Sequence, residues 1–252
     1  MGSKSRIAKY IVPIIQRYID ENNIDTYIEP FVGGANIIDK ISCKNKIASD
    51  NHKYLIAMFN NLNKINTLPD FIDKEHYSEV RECFNNNLNT YQDWYIGAVG
   101  FLSSYNGRFF DGGYSGIITT KTGVQRNYYD EAKRNLLEQI PHLKDISFQY
   151  GDYEDFYNNV SGCLLYCDIP YKNTKQYGTS KNFDYDRFWS WAKDMSTRNI
   201  VLVSEHNAPD DWKSIWEQEV KRTIDNTKRV KAIEKLFIYS GKDKYLTIKE
   251  QL

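Results

Sequence analysis

The chain has 252 residues, enough for one large α/β domain with an insertion or for two small domains. Its 33 Lys+Arg balance 33 Asp+Glu, so composition gives no argument for nucleic acid, and any such face must be a local patch with acidic surface elsewhere. A 41% apolar fraction can fill a core, while polar, basic first residues and the lack of an 18-residue apolar run argue against secretion and membrane spanning and imply a cytoplasmic protein.

Ile7, Ala8, Tyr10, Ile11, Ile14, Ile15 and Tyr18 recur at helical spacing, with Pro13 near the first turns, and predict a helix of about four turns on a core. Residues 27–29 predict a short strand, followed by a glycine turn and a helix over about 36–41. A second strand over 46–49 ends at Asp50, and Leu55, Ile56, Met58, Phe59 and Leu62 mark the helix behind it. Over 68–129 the strand–helix alternation is lost. Helical candidates at 74–86 and 90–102 precede an irregular stretch, 103–123, with Gly107, Gly112, Gly113, Gly116 and Gly123. An insertion of that length is more than a connection and suggests a recognition subdomain.

Periodicity resumes with a helix at 128–139 and a strand at 146–150 before Gly151-Asp152. A strand at 164–167 runs into Asp168, a helix spans 183–195, and 200–204 is a buried strand. Two late strands, around Val220 and at 236–239, lie at one sheet edge. This order predicts an α/β fold with a doubly wound, mostly parallel sheet, whose ligands sit at the C-terminal strand ends. Cys43, Cys83, Cys163 and Cys167 read as reduced structural thiols, with zinc the alternative.

Four strand ends carry an acid or a glycine turn. Gly33 and Gly34, after Phe31-Val32, permit a tight turn and close approach to a ligand, but the pattern is neither GxGxxG nor a Walker loop. Asp50 can accept both hydroxyls of a ribose, or cap the helix that follows. Asp152 can bond a cofactor adenine, or cap a helix through Phe156. Asp168-Ile169-Pro170-Tyr171 is the sharpest signal. An exocyclic amine is a poor nucleophile because its lone pair delocalises into the ring. Accepting its two hydrogens on Asp168 and on the Ile169 carbonyl favours a pyramidal, nucleophilic nitrogen. Pro170 holds that carbonyl and Tyr171 stacks on the base. The plain alternative is Asp and Pro punctuating a strand end.

In this order the motifs resemble those of the Dam-like (D12) class of adenine-specific DNA methyltransferases. Residues 2–6 with Tyr10-Ile11-Val12-Pro13 are similar to the family's N-terminal motif contacting S-adenosylmethionine, Lys4 being the match to its lysine. Pro30-Phe31-Val32-Gly33-Gly34 resembles the cofactor loop, Asp50 the ribose-binding acid and Gly151-Asp152-Tyr153 the adenine-side acid. Asp168-Ile169-Pro170-Tyr171 matches the catalytic Asp-Pro-Pro-Tyr, with Ile169 in place of the first proline. Residues 201–205 and Asn207-Ala208-Pro209 resemble the block that follows.

The resemblance implies a methyltransferase-type sheet over 1–67 and 130–252, with target recognition in 68–129. It implies methyl transfer from S-adenosylmethionine to adenine N6 in double-stranded DNA, with the target flipped out. Lys4, Tyr10, Phe31, Val32, Gly33, Gly34, Asp50 and Asp152 would hold the cofactor, and no metal is expected. Phe101, Asn106-Gly107 and 109–114 look like the family's recognition segment, where Arg108, Phe109, Lys121 and Arg126 could meet DNA. Phe110 reads as subdomain core, and Tyr177 and Phe183 could pack around the flipped base. Basic residues from Lys221 to Lys235 form either a backbone clamp or a solvated hairpin. The protein is expected to be a monomer or weak dimer, with a cognate restriction endonuclease left open. The rivals are a catalytically degenerate DNA-binding protein of the same fold, a methyltransferase for another amine, and an ordinary nucleotide-binding α/β enzyme.

Overall fold

The computed structural model describes residues 4–119, 122–172, 182–223 and 229–241. Helix α1 (Ser5–Glu21) buries Ile7, Ala8, Ile11, Ile15, Tyr18 and Ile19 along one stripe. Strands β1 (Thr26–Glu29) and β2 (Asn45–Asp50) follow, then α2 (Lys53–Phe59). The insertion holds α3 (Lys74–Asn85), α4 (Asp93–Leu102) and a small hairpin, β3 (Ile117–Thr119) with β4 (Gln125–Asn127). Then come α5 (Tyr128–Leu143), β5 (Ile146–Tyr150), α6 (Tyr153–Tyr157) and β6 (Leu164–Asp168). The chain continues with α7 (Tyr185–Met195), β7 (Ile200–Glu205), β8 (Trp212–Thr223) and β9 (Arg229–Tyr239).

The seven-stranded sheet has the order β5-β2-β1-β6-β7-β9-β8. Strands β5, β2, β1, β6 and β7 pair in parallel, while β9 joins antiparallel to β7 and to β8. Alternate side chains of β6 enter different layers. Leu164 and Tyr166 pack with α1, α2, α4 and α5, whereas Leu165 and Cys167 pack with α6 and α7. Burial on both faces explains why this strand is an unbroken apolar run. Strand order reverses between β1 and β6, which opens a crevice at the carboxyl edge of the sheet.

One expected element is absent. The helix anticipated over 36–41 is only a single 3₁₀ turn, Ile38–Lys40. Gln139 of α5 donates from its amide nitrogen to the carbonyls of Gly34 and Ala35 and to Asp39. These bonds tether the turn to α5, and Ile41 returns to extended backbone. Leu62, expected in the second helix, lies in a separate 3₁₀ turn, Leu62–Thr67. The four cysteines are unbridged, and no metal-ligand cluster occurs among the described residues. No helix among them is long and apolar enough to cross a membrane.

His52 caps α2, its Nδ1 accepting the Leu55 N–H, and its ring packs against Phe101 and Phe109. Burial pushes its pKa down to about 4. The unfolded chain therefore binds a proton near pH 6.5 that the native state refuses until about pH 4. Stability from neutral His52 is present above pH 6.5 and falls as pH drops through that window. Denaturant unfolding at pH 7 and pH 5 should show wild type losing about 2 kcal/mol more than His52→Asn, which keeps a capping side chain.

Candidate active site

The crevice is built from strand ends. After β1, the Val32 N–H bonds the Ser49 carbonyl, and Gly33 takes a left-handed φ of 48° with nothing within 4 Å of the place a Cβ would occupy. Glycine is needed for that backbone and leaves the turn open on its outer side. Asp50 receives the Gly33 N–H on Oδ2 at 3.1 Å and the His52 N–H on Oδ1 at 2.9 Å. Burial raises its pKa, and the two N–H bonds oppose the shift. Since His52 is the cap of α2, Asp50 does not cap that helix; its carboxylate ties the glycine turn to the end of β2.

Beside this turn lies a cavity of about 130 Å³ lined by Phe31, Asn51, Asp152, Tyr153, Phe183 and Arg187, among others. Phe31 packs on Tyr153 and Phe183, with ring centroids 5.2 and 5.8 Å away. Asp152 caps α6 in a reciprocal capping box with Asp155, so the capping role exists alongside its place in the cavity wall. Its Oδ1 also accepts from Arg187 at 3.3 Å. Phe183, expected around the target base, stands in this aromatic wall because it belongs to the Phe31–Phe188 cluster.

On the other side of the crevice β6 delivers Asp168. The Lys4 ammonium lies 3.0 Å from Asp168 Oδ1 and 3.3 Å from Glu234 Oε2, and it also donates to the Tyr171 hydroxyl. The Tyr171 hydroxyl in turn donates to Glu234. His206 meets the Tyr171 ring edge-on at 4.6 Å. Ile169 is buried, and the Pro170 carbonyl accepts from Tyr185 Oη at 2.9 Å. Glu205, at the end of β7, accepts the Lys172 N–H at 2.9 Å and so fixes the backbone just past Tyr171. Burial raises the Glu205 pKa, countered by the N–H bonds of His206 and Lys172.

Several sequence-predicted residues stand elsewhere. Tyr10 does not face the glycine turn; it is 40% exposed and stacks on Trp216 of the edge strand β8, because Ile7, Ile11 and Ile15 take the inward stripe of α1. Phe109 is not offered for base stacking. It is partly buried on the main apolar cluster, against His52, Tyr54, Phe84 and Phe101, in a space that Gly100 leaves open. Phe110 is buried beside it. Asn106 is exposed in a 3₁₀ turn with a left-handed φ of 55°, and Arg108 is half-buried just after it. Arg126 forks onto Glu131 through Nε at 2.9 Å and Nη2. Lys121, Tyr177 and residues 224–228 of the basic stretch lie outside the described residues.

Gln139 and Glu234 were given no site role from the sequence, and Glu205 appeared only as the end of the block 201–205. A usable signal existed for Glu234. It shares strand parity with Leu236 and Ile238, both buried, so an acid was being placed on an inward face.

Sheet order and crevice define a Rossmann-like methyltransferase fold with a mixed sheet and an inserted, largely helical segment. The chain belongs to the family described as D12 class N6 adenine-specific DNA methyltransferase, whose model matches residues 1–208. It is accordingly an adenine-specific DNA methyltransferase that uses S-adenosylmethionine. It is 27% identical over 213 residues to the type II methyltransferase M.MjaIII of Methanocaldococcus jannaschii, covering 73% of each chain. To the modification methylase StsI of Streptococcus sanguinis it is 25% identical over 226 residues, 82% of this chain and 33% of that one. The solved structure of PH1948 from Pyrococcus horikoshii aligns with a TM-score of 0.42 at 9% identity, over 93% of this chain and 81% of that one.

The donor set fits S-adenosylmethionine. An aromatic-walled cavity with Asp152 at its rim suits an adenine face and its amino group, and Asp50 at the next strand end suits a ribose diol. Asp168 and Glu234 together outweigh Lys4, which suits a positively charged sulfonium nearby.

Proposed function

We propose that this enzyme methylates adenine N6 within a specific sequence of double-stranded DNA, with the target base flipped from the duplex and the methyl passed directly to its amine. The observation that carries the reading is the pairing, across one crevice, of the Phe31–Gly34 turn with Asp168 and Tyr171. Bound S-adenosylmethionine supplies a methyl group on a positively charged sulfur. Asp168 and the Ile169 carbonyl accept the two N–H bonds of the target amine and direct its lone pair toward that carbon. Lys4 uses one lone-pair direction of Oδ1, and a carboxylate offers about four. Tyr171 stacks against the purine. The N–C bond would form as the C–S bond breaks with its electron pair left on sulfur, and the nitrogen would then give its extra proton to solvent. No strong base is required, and His206, whose Nδ1 lies 2.7 Å from the Ile233 carbonyl, takes no proton in the transfer.

The segment 68–129 is read as the target-recognition region, with 1–67 and 130–252 as the catalytic part. Asn106, Arg108, Lys121 and Arg126 are its candidates for DNA contact, and the hairpin β3–β4 exposes Ile117 and Ile118. The two named relatives are a type II methyltransferase and a modification methylase, which supports sequence-specific action on DNA. The test is incubation with methyl-tritiated cofactor and mixed unmethylated DNA, followed by digestion to nucleosides. Label is expected in N6-methyldeoxyadenosine. Label in N4-methyldeoxycytidine, or only in RNA or protein, would contradict the proposal.

A further inference from the structure

We infer that Glu234, on the C-terminal hairpin beyond the residues that define the family match, is a positioning residue of the active site. It acts through the phenol of Tyr171 and the ammonium of Lys4. The inference rests on the methyl-transfer reading of Asp168 and Tyr171.

Glu234 is 6% exposed and lies on β9, where its neighbours of like parity, Leu236 and Ile238, are core. A carboxylate is costly at such a place unless it is paired. Here it accepts the Tyr171 hydroxyl and the Lys4 ammonium, whose third partner is Asp168. The three ammonium hydrogens of Lys4 thus meet Asp168, Glu234 and Tyr171, drawn from strands β6 and β9 and the loop after β6. Two consequences follow. The Tyr171 ring is pinned at its hydroxyl end and meets His206 in a T-shaped contact, so the plane offered to a base is set before the base arrives. Glu234 also shares the lysine charge with Asp168, which leaves the Asp168 carboxylate more available to the amine hydrogens.

The experiment compares Glu234→Leu, Glu234→Gln, Tyr171→Phe and Glu234→Leu/Tyr171→Phe in single-turnover methyl transfer to DNA. Affinity for S-adenosylhomocysteine is measured by calorimetry in parallel. Glu234→Leu keeps volume but loses the bonds to Tyr171 and Lys4, and should slow transfer about tenfold or more with product affinity within about threefold of wild type. Glu234→Gln keeps an acceptor for the phenol and should recover to within about threefold of the wild-type rate. Because Glu234 and the hydroxyl act as one unit, the double variant should be no slower than its slower parent. Equal rates for the leucine and glutamine variants, or losses that multiply in the double, would overturn the inference. Should the leucine variant not fold, Tyr171→Phe deletes the hydroxyl alone: a comparable loss supports the role and a wild-type rate refutes it. Asp168→Ala separates the two levels. If it is inactive while Glu234→Leu is fully active, only the positioning role fails; if it is active, the site itself fails.

Discussion

Asp168→Ala is expected to slow methyl transfer about 10³-fold or more, a barrier increase of about 4 kcal/mol, while cofactor affinity changes little. The reason lies in the division of labour along the sheet edge. The glycine turn and Asp50 lie on the β5-β2-β1 side, where Asp50 holds the Gly33 and His52 N–H groups, and the aromatic cavity is walled by Phe31, Asp152, Tyr153 and Phe183. Asp168 instead ends β6, where its carboxylate faces Lys4 and sits one residue from the carbonyl that would take the second amine hydrogen. Losing it removes an acceptor that matters only when the amine becomes nucleophilic, so the damage belongs in the transfer rate. Single-turnover rates with calorimetric cofactor titration check this. A variant with near wild-type turnover, or one whose whole defect is cofactor affinity, would refute the assignment.

The second large effect concerns stability. Gly97→Ala should destabilise the protein by about 3 kcal/mol and lower Tm by roughly 6–12 °C, although alanine is the better helix former by about 1 kcal/mol. A Cβ on Gly97 would lie 2.1 Å from the Tyr54 carbonyl oxygen and 3.3 Å from Met58 Cβ. Backbone cannot swing aside as a side-chain tip can, so α4 would have to back away from α2. That contact joins the insertion to the helix that follows Asp50, and the apolar cluster runs without a break from Leu55 and Met58 to Ile96, Val99 and Phe101. Calorimetric melting of the variant decides it. An unchanged or raised Tm would show that the close approach is not tight.

Much of this was legible in the sequence where a feature is local. The run Leu164–Cys167 had to be a buried strand, and the acid after it had to stand at the carboxyl edge. The acids and the turn at four strand ends then fell on one side, because parallel strands point the same way. What was not legible depends on partners far along the chain. The segment after Gly34 carries helix-compatible residues, yet it forms only the 3₁₀ turn Ile38–Lys40, held to α5 by Gln139. Phe109 beside Arg108 looked ready to meet a base, but the gap at Gly100 and the rings of His52, Tyr54 and Phe84 draw it inward. Tyr10 fell within a motif by position, while the helical stripe of isoleucines turned it outward to Trp216. Glu234 was hidden among lysines that suggested a solvated or DNA-facing loop, and only the two-residue period of its strand marked it as inward.

On the proposed reading, one crevice brings an extruded adenine to Asp168 and Tyr171 beside the cofactor. That reading is tested most directly by a crystal structure of the enzyme with sinefungin and a duplex carrying its mapped methylation site. The adenine is expected out of the helix, its N6 within hydrogen-bond distance of Asp168 and of the Ile169 carbonyl, and its ring against Tyr171. An adenine still stacked in the duplex, or a cofactor bound apart from the Phe31–Gly34 turn, would contradict it.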